Sequence, residues 1–189
     1  MKAGERAPAT YEDLLKVPDH MIGEILDGEL EVSPRPGARH AWNATVMTAD
    51  LLHRFGGPPD SPGAPGGWWI LFEPELHLEG DVAVPDLAAW RRERMPAIPD
   101  VAFFTLAPDW VCEILSRGRE RAVRVKKMPL YARAGVGHAW LADPVAKVLE
   151  VLRLEGGRWL LLGAHAGGER VRAEPFDAVE LDLGRWWLP

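Results

Sequence analysis

Three acids and a lysine stand along this chain of 189 residues at places where charge is costly: Glu24, Asp86 behind a proline, Glu113 inside an apolar run, and Lys127 further on. Asp86 belongs to Val84-Pro85-Asp86-Leu87, and Glu113 to Trp110-Val111-Cys112-Glu113-Ile114-Leu115. Both segments otherwise read as buried strands. A carboxylate there loses hydration at a penalty unless a cation compensates it. Two such carboxylates converging near a lysine would suit a divalent metal ion and the activation of a water.

Strand alternation puts Glu113 on one face with Val111 and Leu115, and Trp110, Cys112 and Ile114 on the other. Both faces are apolar, as in an interior strand, so Glu113 is either paired with a cation or coordinating something. Pro85 cannot donate to a ladder, which favours an edge or bulge that would aim Asp86 into a site; the alternative is an exposed loop aspartate. At about 100° per residue, Lys127 projects close to Val123, Leu130, Tyr131 and Ala134, on the apolar side of a helix, whereas Lys126 projects to the side. Lys127 would then orient or deprotonate a water, or else form a buried ion pair with Glu113. Glu24, just before the Asp27-Gly28 turn, reads by itself as a surface residue, and His40 as a ligand contact or an ordinary residue at a helix start. None of the six histidines forms the i, i+4 pair of a zinc helix. No phosphate-binding loop, nucleophile elbow or dinucleotide fingerprint occurs, so no nucleotide cofactor is expected. Residues 117–127 read RGRERAVRVKK, six basic residues against one acid. That is a solvated helix face or, beside paired acids, a surface for a phosphate backbone.

The elements that must position these groups follow from local signals. Thr10 caps a helix over residues 11–16, with Asp13 completing an imperfect capping box. The Asp27-Gly28 turn starts a strand near Glu29, ended by Pro34, Pro36 and Gly37. A helix is predicted over 39–55 with Trp42, Val46, Ala49 and Leu52 as its apolar spacing. Residues 56–67, rich in Gly and Pro, read as a flexible surface loop. Strands are predicted over 68–78, 82–90 and 109–115, with an irregular stretch over 91–105. The basic helix runs over 119–134 and ends at Gly135. Strands over 138–142, 147–154 and 158–163 follow, the last two joined at Gly156-Gly157, and 179–187 adds a last apolar segment. This order implies an α/β, mixed α+β fold: a central mixed sheet flanked by helices. Trp68-Trp69 and Trp186-Trp187 read most simply as core or edge packing, and the tryptophan-rich ends are also candidates for an interface.

The length suits one domain spanning residues 1–189. With 47% hydrophobic and 26% charged residues, the chain is expected to be globular and not disordered. One cysteine, Cys112, excludes an internal disulfide and a cysteine-based zinc cluster, and its apolar strand suggests a buried thiol. Residues 1–10 hold no apolar stretch suited to a signal peptide, and no segment reaches the roughly 20 apolar residues of a membrane span. A cytoplasmic protein with no membrane partner is the expectation. The net charge of -6 argues against loose charge-driven binding of nucleic acid over the whole surface, which leaves the basic stretch as the place for it.

Several strings together carry a family resemblance. They are Glu24-Ile25-Leu26-Asp27-Gly28-Glu29-Leu30, Val32-Ser33-Pro34, Arg39-His40, Val84-Pro85-Asp86-Leu87, Val111-Cys112-Glu113-Ile114-Leu115-Ser116, Tyr131-Ala132-Arg133-Ala134-Gly135-Val136 and Ala139-Trp140-Leu141-Ala142-Asp143-Pro144. In order and spacing the chain resembles the Uma2 family, grouped with the PD-(D/E)XK restriction-endonuclease-like superfamily, over about residues 11–162. The resemblance implies a restriction-endonuclease-like core in which Asp86 and Glu113 bind Mg²⁺ or Mn²⁺, with the Ile114 carbonyl as a further ligand. It places the lysine at Lys127, an acid at Glu24, and Tyr131 and His40 as accessory groups. Three positions depart from the pattern: Leu115 stands where the superfamily motif has lysine, Ser116-Arg117-Gly118-Arg119 where relatives read Ser-Pro-Ser-Thr, and Val123 where they carry aspartate.

The expectation is a metal-dependent endonuclease acting on DNA as a homodimer, with Arg117, Arg119, Arg124 and Lys126 on phosphates. Two alternatives stay open. One is a binding or partner protein on a nuclease scaffold, in which Lys127 neutralises Glu113 directly. The other is a metal-dependent hydrolase of a different phosphate ester.

Overall fold

The computed structural model describes residues 7–59 and 64–188. The middle of the loop expected over 56–67 and most of the N-terminal stretch read for a signal peptide lie outside them.

Turn chemistry organises the first sheet. Asp27 (φ 54°) and Gly28 (φ 75°) are both left-handed, the geometry that lets a two-residue turn follow the twist of its strands. They join β1 (Met21–Leu26) to β2 (Glu29–Pro34) antiparallel. Before them, α1 (Tyr11–Leu14) carries a complete Thr10–Asp13 capping box. A long helix, α2 (Ala38–Phe55), follows.

Two strands expected to be continuous are each broken. The predicted strand over 68–78 divides into β3 (Trp68–Phe72) and β4 (Leu76–Leu78), separated at Glu73, whose φ is 44°. The one over 82–90 divides into β5 (Asp81–Ala83) and β6 (Leu87–Arg91), separated at Val84-Pro85-Asp86. Each break moves the chain between sheets. β4 and β5 complete a four-stranded sheet in the order β2-β1-β5-β4. β3 and β6 enter a six-stranded sheet with β7 (Trp110–Ile114), β8 (His138–Asp143), β9 (Val148–Glu155) and β10 (Arg158–Ala166), in the order β10-β9-β8-β7-β6-β3. Only the β7–β8 pair is parallel, which makes the sheet mixed, as expected. A small ribbon of β11 (Arg170–Val171) and β12 (Leu181–Asp182) lies in the tail.

The β7–β8 crossover is the basic helix, and it is not uniform. α3 (Glu120–Ala122) runs into a wide π turn over Val123–Lys127 and then into α4 (Met128–Arg133). The cause is Pro129, which has no N–H and whose ring would meet the carbonyl four residues earlier in a regular helix. In the π turn the Met128 N–H bonds to the Val123 carbonyl instead.

The six-stranded sheet separates two cores. Trp110, Cys112 and Ile114 pack with Trp140, Phe176 and Trp186 on one face; Val111 and Leu115 pack with Leu130, Tyr131 and Leu141 on the other. The alternation predicted for β7 therefore holds on both faces, and Cys112 is buried as expected. The face predicted for α2 does not hold. Trp42 and Leu52 are exposed, and the buried side carries His40, Asn43, Ala44, Met47, Asp50, Leu51 and Phe55. Two of its polar members find partners: the Asn43 amide donates to the distant Trp186 carbonyl, though its Oδ1 is buried without a partner, and Asp50 accepts from Arg54 one turn on and from the Trp186 indole. Trp68, Trp186 and Trp187 are buried, which overturns the reading of the tryptophan-rich ends as an exposed interface. Among the described residues no helix is long and apolar enough to cross a membrane.

Candidate functional site

The broken strand at Val84-Pro85-Asp86 sits beside β7, and its backbone and side chains converge on Glu113. The Val84 N–H donates to Glu24 Oε1 at 2.9 Å, and the Val84 carbonyl accepts from Lys127 Nζ at 2.9 Å. Both polar groups freed by the break therefore enter the site. Asp86 Oδ2 accepts the Ile114 N–H at 2.6 Å, and Asp86 Oδ1 lies 3.0 Å from His40 Nε2.

Glu113, at the site's centre, is 3% exposed. Its Oε1 accepts from the Tyr131 hydroxyl at 2.6 Å and lies 2.8 Å from Lys127 Nζ, which also donates to Oε2 at 2.9 Å. Lys127 is 2.9 Å from Glu24 Oε1, and Arg119 donates to Glu24 Oε2 at 2.7 Å. Lys127 is buried on the inward side of the helix, where the 100° projection placed it. These groups line a cavity of about 60 Å³, together with Ser33, Ser116 and Val123. Glu24, Asp86, Glu113, Lys127, His40, Ile114 and Arg119 thus share one pocket, with Tyr131 bonded from behind.

The electrostatics follow from three acids sharing a few cations. Burial pushes the Glu113 carboxyl up, Lys127 opposes this, and Asp86 and Glu24 add to it; the result is a carboxyl raised to about 7. Burial works against charge on Lys127, but Glu113, Glu24 and Asp86 overrule it and hold the ammonium above its ordinary range. Burial likewise opposes the Glu24 charge, yet Lys127, the Val84 N–H and Arg119 hold that carboxyl below its usual value. His40 is shifted up: burial opposes its charge, but the hydrogen bond to Asp86 and the charges of Asp86, Glu113 and Glu73 prevail. Its Nδ1 is buried with no hydrogen-bond partner. Burial and Glu113 push the Tyr131 phenol well up, so it serves as a donor.

The donor set is sparse. No three His, Cys, Asp or Glu side chains among the described residues converge as a metal cluster. Of the three carboxylates that line the pocket, Asp86 and Glu113 lie beside the Ile114 backbone, while Glu24 is held by Lys127, Arg119 and the Val84 N–H. The Asp86–Glu113 set fits Mg²⁺ or Mn²⁺, hard ions that accept one or two carboxylates and keep several waters.

The basic stretch is not the free surface that its sequence suggests. Arg124 makes a two-bond pair with Glu150 at 2.8 and 3.0 Å, and Lys126 binds Glu29 and Glu31. Arg119 turns inward to Glu24. Of the four residues expected on phosphates, only Arg117 is exposed with no ion pair among the described residues. Sequence reasoning missed the role of Arg119 at Glu24 and the use of the Val84 backbone. The proline break was the available signal for Val84; for Arg119 there was none.

An interior strand carrying one buried acid, a proline-broken strand delivering a second, and a mixed sheet behind them define a nuclease-like α+β fold. The chain matches the model of the Uma2 family, described as "Putative restriction endonuclease", over residues 8–184. It belongs to that family. The match extends beyond the segment over which the resemblance was read. Among solved structures, the chain is similar to a crystal structure described as "a putative nuclease belonging to DUF820" from Anabaena variabilis ATCC 29413. The TM-score is 0.76 at 21% identity, covering 96% of this chain and 100% of the other. No curated protein matches the chain.

Proposed function

We propose that this protein is a metal-dependent nuclease that hydrolyses DNA phosphodiester bonds at the pocket formed by Asp86, Glu113 and Lys127. The observation that carries the reading is the convergence of both carboxylates with the lysine in one small cavity. Membership in a family described as "Putative restriction endonuclease" supports it. Asp86 and Glu113 would hold Mg²⁺ or Mn²⁺, with the Ile114 carbonyl as a further ligand. When bound, the ion polarises the scissile phosphate and offsets charge in the transition state.

The chain's own groups divide the remaining work. Glu113, raised to about 7, gives up its proton as a divalent cation enters, which couples metal affinity to pH. Lys127 is held cationic by two carboxylates, so it orients a water and offsets charge, and is not the group that deprotonates it. Tyr131 fixes Glu113 by donating to Oε1. Glu24 holds Lys127 and the Val84 backbone and belongs to the hydrogen-bond shell. Of the four basic residues expected on phosphates, Arg117 is the one without an ion pair among the described residues and so the one available to a DNA phosphate, and a cut through both strands would take two copies of the chain.

A second reading has one observation in its favour. Lys127 pairs directly with Glu113, as expected of a binding protein that keeps the scaffold without the chemistry. Nicking of supercoiled plasmid in Mg²⁺ and in Mn²⁺ decides between them, with Glu113→Ala purified identically. We expect cleavage by the parent and a loss of at least about a hundredfold in the variant. Equal cleavage by both, or none by either, would remove the nuclease assignment.

A further inference from the structure

α2 carries two apolar faces, and the fold of the chain covers only one of them. Met47, Leu51 and Phe55 pack into the aromatic core, and Asn43 and Asp50 bond to the tail beside them. The other stripe, Trp42, Thr45, Ala49 and Leu52, recurs at intervals of three, four and three residues, the spacing of a helix-packing seam. All four are exposed, Trp42 by 44% and Leu52 by 43%. Trp42 is unlike the other eight tryptophans of the chain. Each of those is bonded through its indole N–H or packed against another ring, whereas Trp42 has neither kind of partner among the described residues. Between Arg39 and His53 the stripe holds no charged side chain, because His40 and Asp50 turn inward to Asp86 and Trp186. Phe72, 53% exposed, widens the face: it ends the edge strand β3, against which α2 packs, and its parity with Trp68 and Ile70 sets it on the α2 side of the sheet.

We infer that this face is closed by the same face of a second copy, with the two α2 helices packed antiparallel about a two-fold axis at the level of Met47. The stripe is self-complementary, as a two-fold contact requires. Positions 42 and 52 lie equally far from 47, and so do 45 and 49. Trp42 therefore meets the partner's Leu52, and Thr45 meets the partner's Ala49. The small residues in the middle let the backbones approach, and the bulky ones close the ends. A stripe without charge suits the core of an interface between proteins. It does not suit nucleic acid, which would need cations along it. The charges at its ends choose the direction. A parallel pair would set two Arg39 side chains together with the helix dipoles aligned. The antiparallel pair sets each Arg39 beside the C-terminal end of the partner's α2, where a cation is favoured. The pockets are placed as well. His40 lines each pocket, and at about 1.5 Å of rise per residue the two copies of it stand about 21 Å apart along the helix axis. The dimer thus presents two pockets at a set separation, whatever chemistry each performs.

Sedimentation equilibrium of the full chain tests the partner, and introduced cysteines test the direction. At micromolar concentration the wild-type chain is expected at twice its 21.0 kDa. Ala49→Glu and Leu52→Glu each place an unpaired charge in the interface and are expected as monomers, with association weakened at least about a hundredfold. Both positions face solvent in the single chain, so circular dichroism should show each variant folded. Mild oxidation of Thr45→Cys chains mixed with Ala49→Cys chains is expected to crosslink one to the other, and neither variant to crosslink alone; Cys112 is buried and takes no part. The cysteine pair decides the matter even if a glutamate variant does not fold. A wild-type monomer, a dimer that survives both glutamates, or crosslinking by Thr45→Cys alone would each overturn the inference. None of these bears on the nuclease reading, which the plasmid assay decides separately.

Discussion

The two faces of the six-stranded sheet use the same strands to opposite ends. On one face, β7 presents Trp110, Cys112 and Ile114 to a core of Trp140, Phe176 and Trp186, with the Trp110 ring 5.0 Å from both Trp140 and Phe176. On the other, the intervening residues are Val111, Glu113 and Leu115, and a carboxylate, an ammonium and a phenol are buried among Leu130, Leu141 and Met128. The aromatic face is stabilised chiefly by contact area and shape, with Asp50 at its margin on the Trp186 indole. The opposite face hangs on a charge balance that a proton or a cation can shift. The difference shows that a single strand can present an apolar core on one face and a buried charge cluster on the other by residue parity alone.

The largest blow to the comparison is Trp140→Ala. A cavity in the aromatic core should cost about 3–5 kcal/mol, read by urea unfolding, and the loss should be the same in mildly acidic and mildly alkaline buffer. A loss that varied strongly with pH would mean that the two faces are not separate. Next is Lys127→Met, which leaves Glu113 and Glu24 without their shared cation and should cost about 3 kcal/mol. Adding Glu113→Gln to it should recover much of that loss. If the double variant is no more stable than the single, the ammonium is not balancing the carboxylates.

The smallest effect is the pH slope. Glu113 is raised in the folded protein from 4.5 to about 7, so between those values the folded chain holds a proton that the unfolded chain has released. Stability therefore falls as pH rises, by on the order of 2 kcal/mol between about pH 5 and 7.5, measured in chelator. Glu113→Gln should flatten this window. His40, also raised, adds a fall of the same sign as pH climbs through its folded value, and Glu24, lowered, acts in the opposite sense in acid. An unchanged slope in Glu113→Gln would place the titration elsewhere.

How far the sequence revealed this arrangement depended on range. Glu113 was legible because strand parity is local and both of its flanking faces are apolar. Lys127 was legible because its neighbours on the helix, Val123, Leu130 and Tyr131, are all buried. The proline before Asp86 marked a break, though not that the chain would change sheets there. The buried face of α2 was hidden, because His40, Asn43 and Asp50 are polar and their partners, Asp86 and Trp186, lie far along the chain. The basic stretch misled for the same reason. Arg124, Lys126 and Arg119 meet Glu150, Glu29 and Glu24, and nothing near residues 117–127 announces those acids.

The wide turn ahead of Pro129 works as a joint between two rotational settings. Tyr131 and the body of α4 are keyed to the sheet through Glu113, while Arg119 and Val123 are keyed to the mouth of the pocket, and the extra residue in the turn reconciles the two. Removing one residue between Val123 and Lys127 would leave the rear of the site seated and swing its front by about 100°, carrying Arg119 away from Glu24. The front of the pocket can thus be re-aimed by a change of length in one turn, without altering any side chain that touches Glu113.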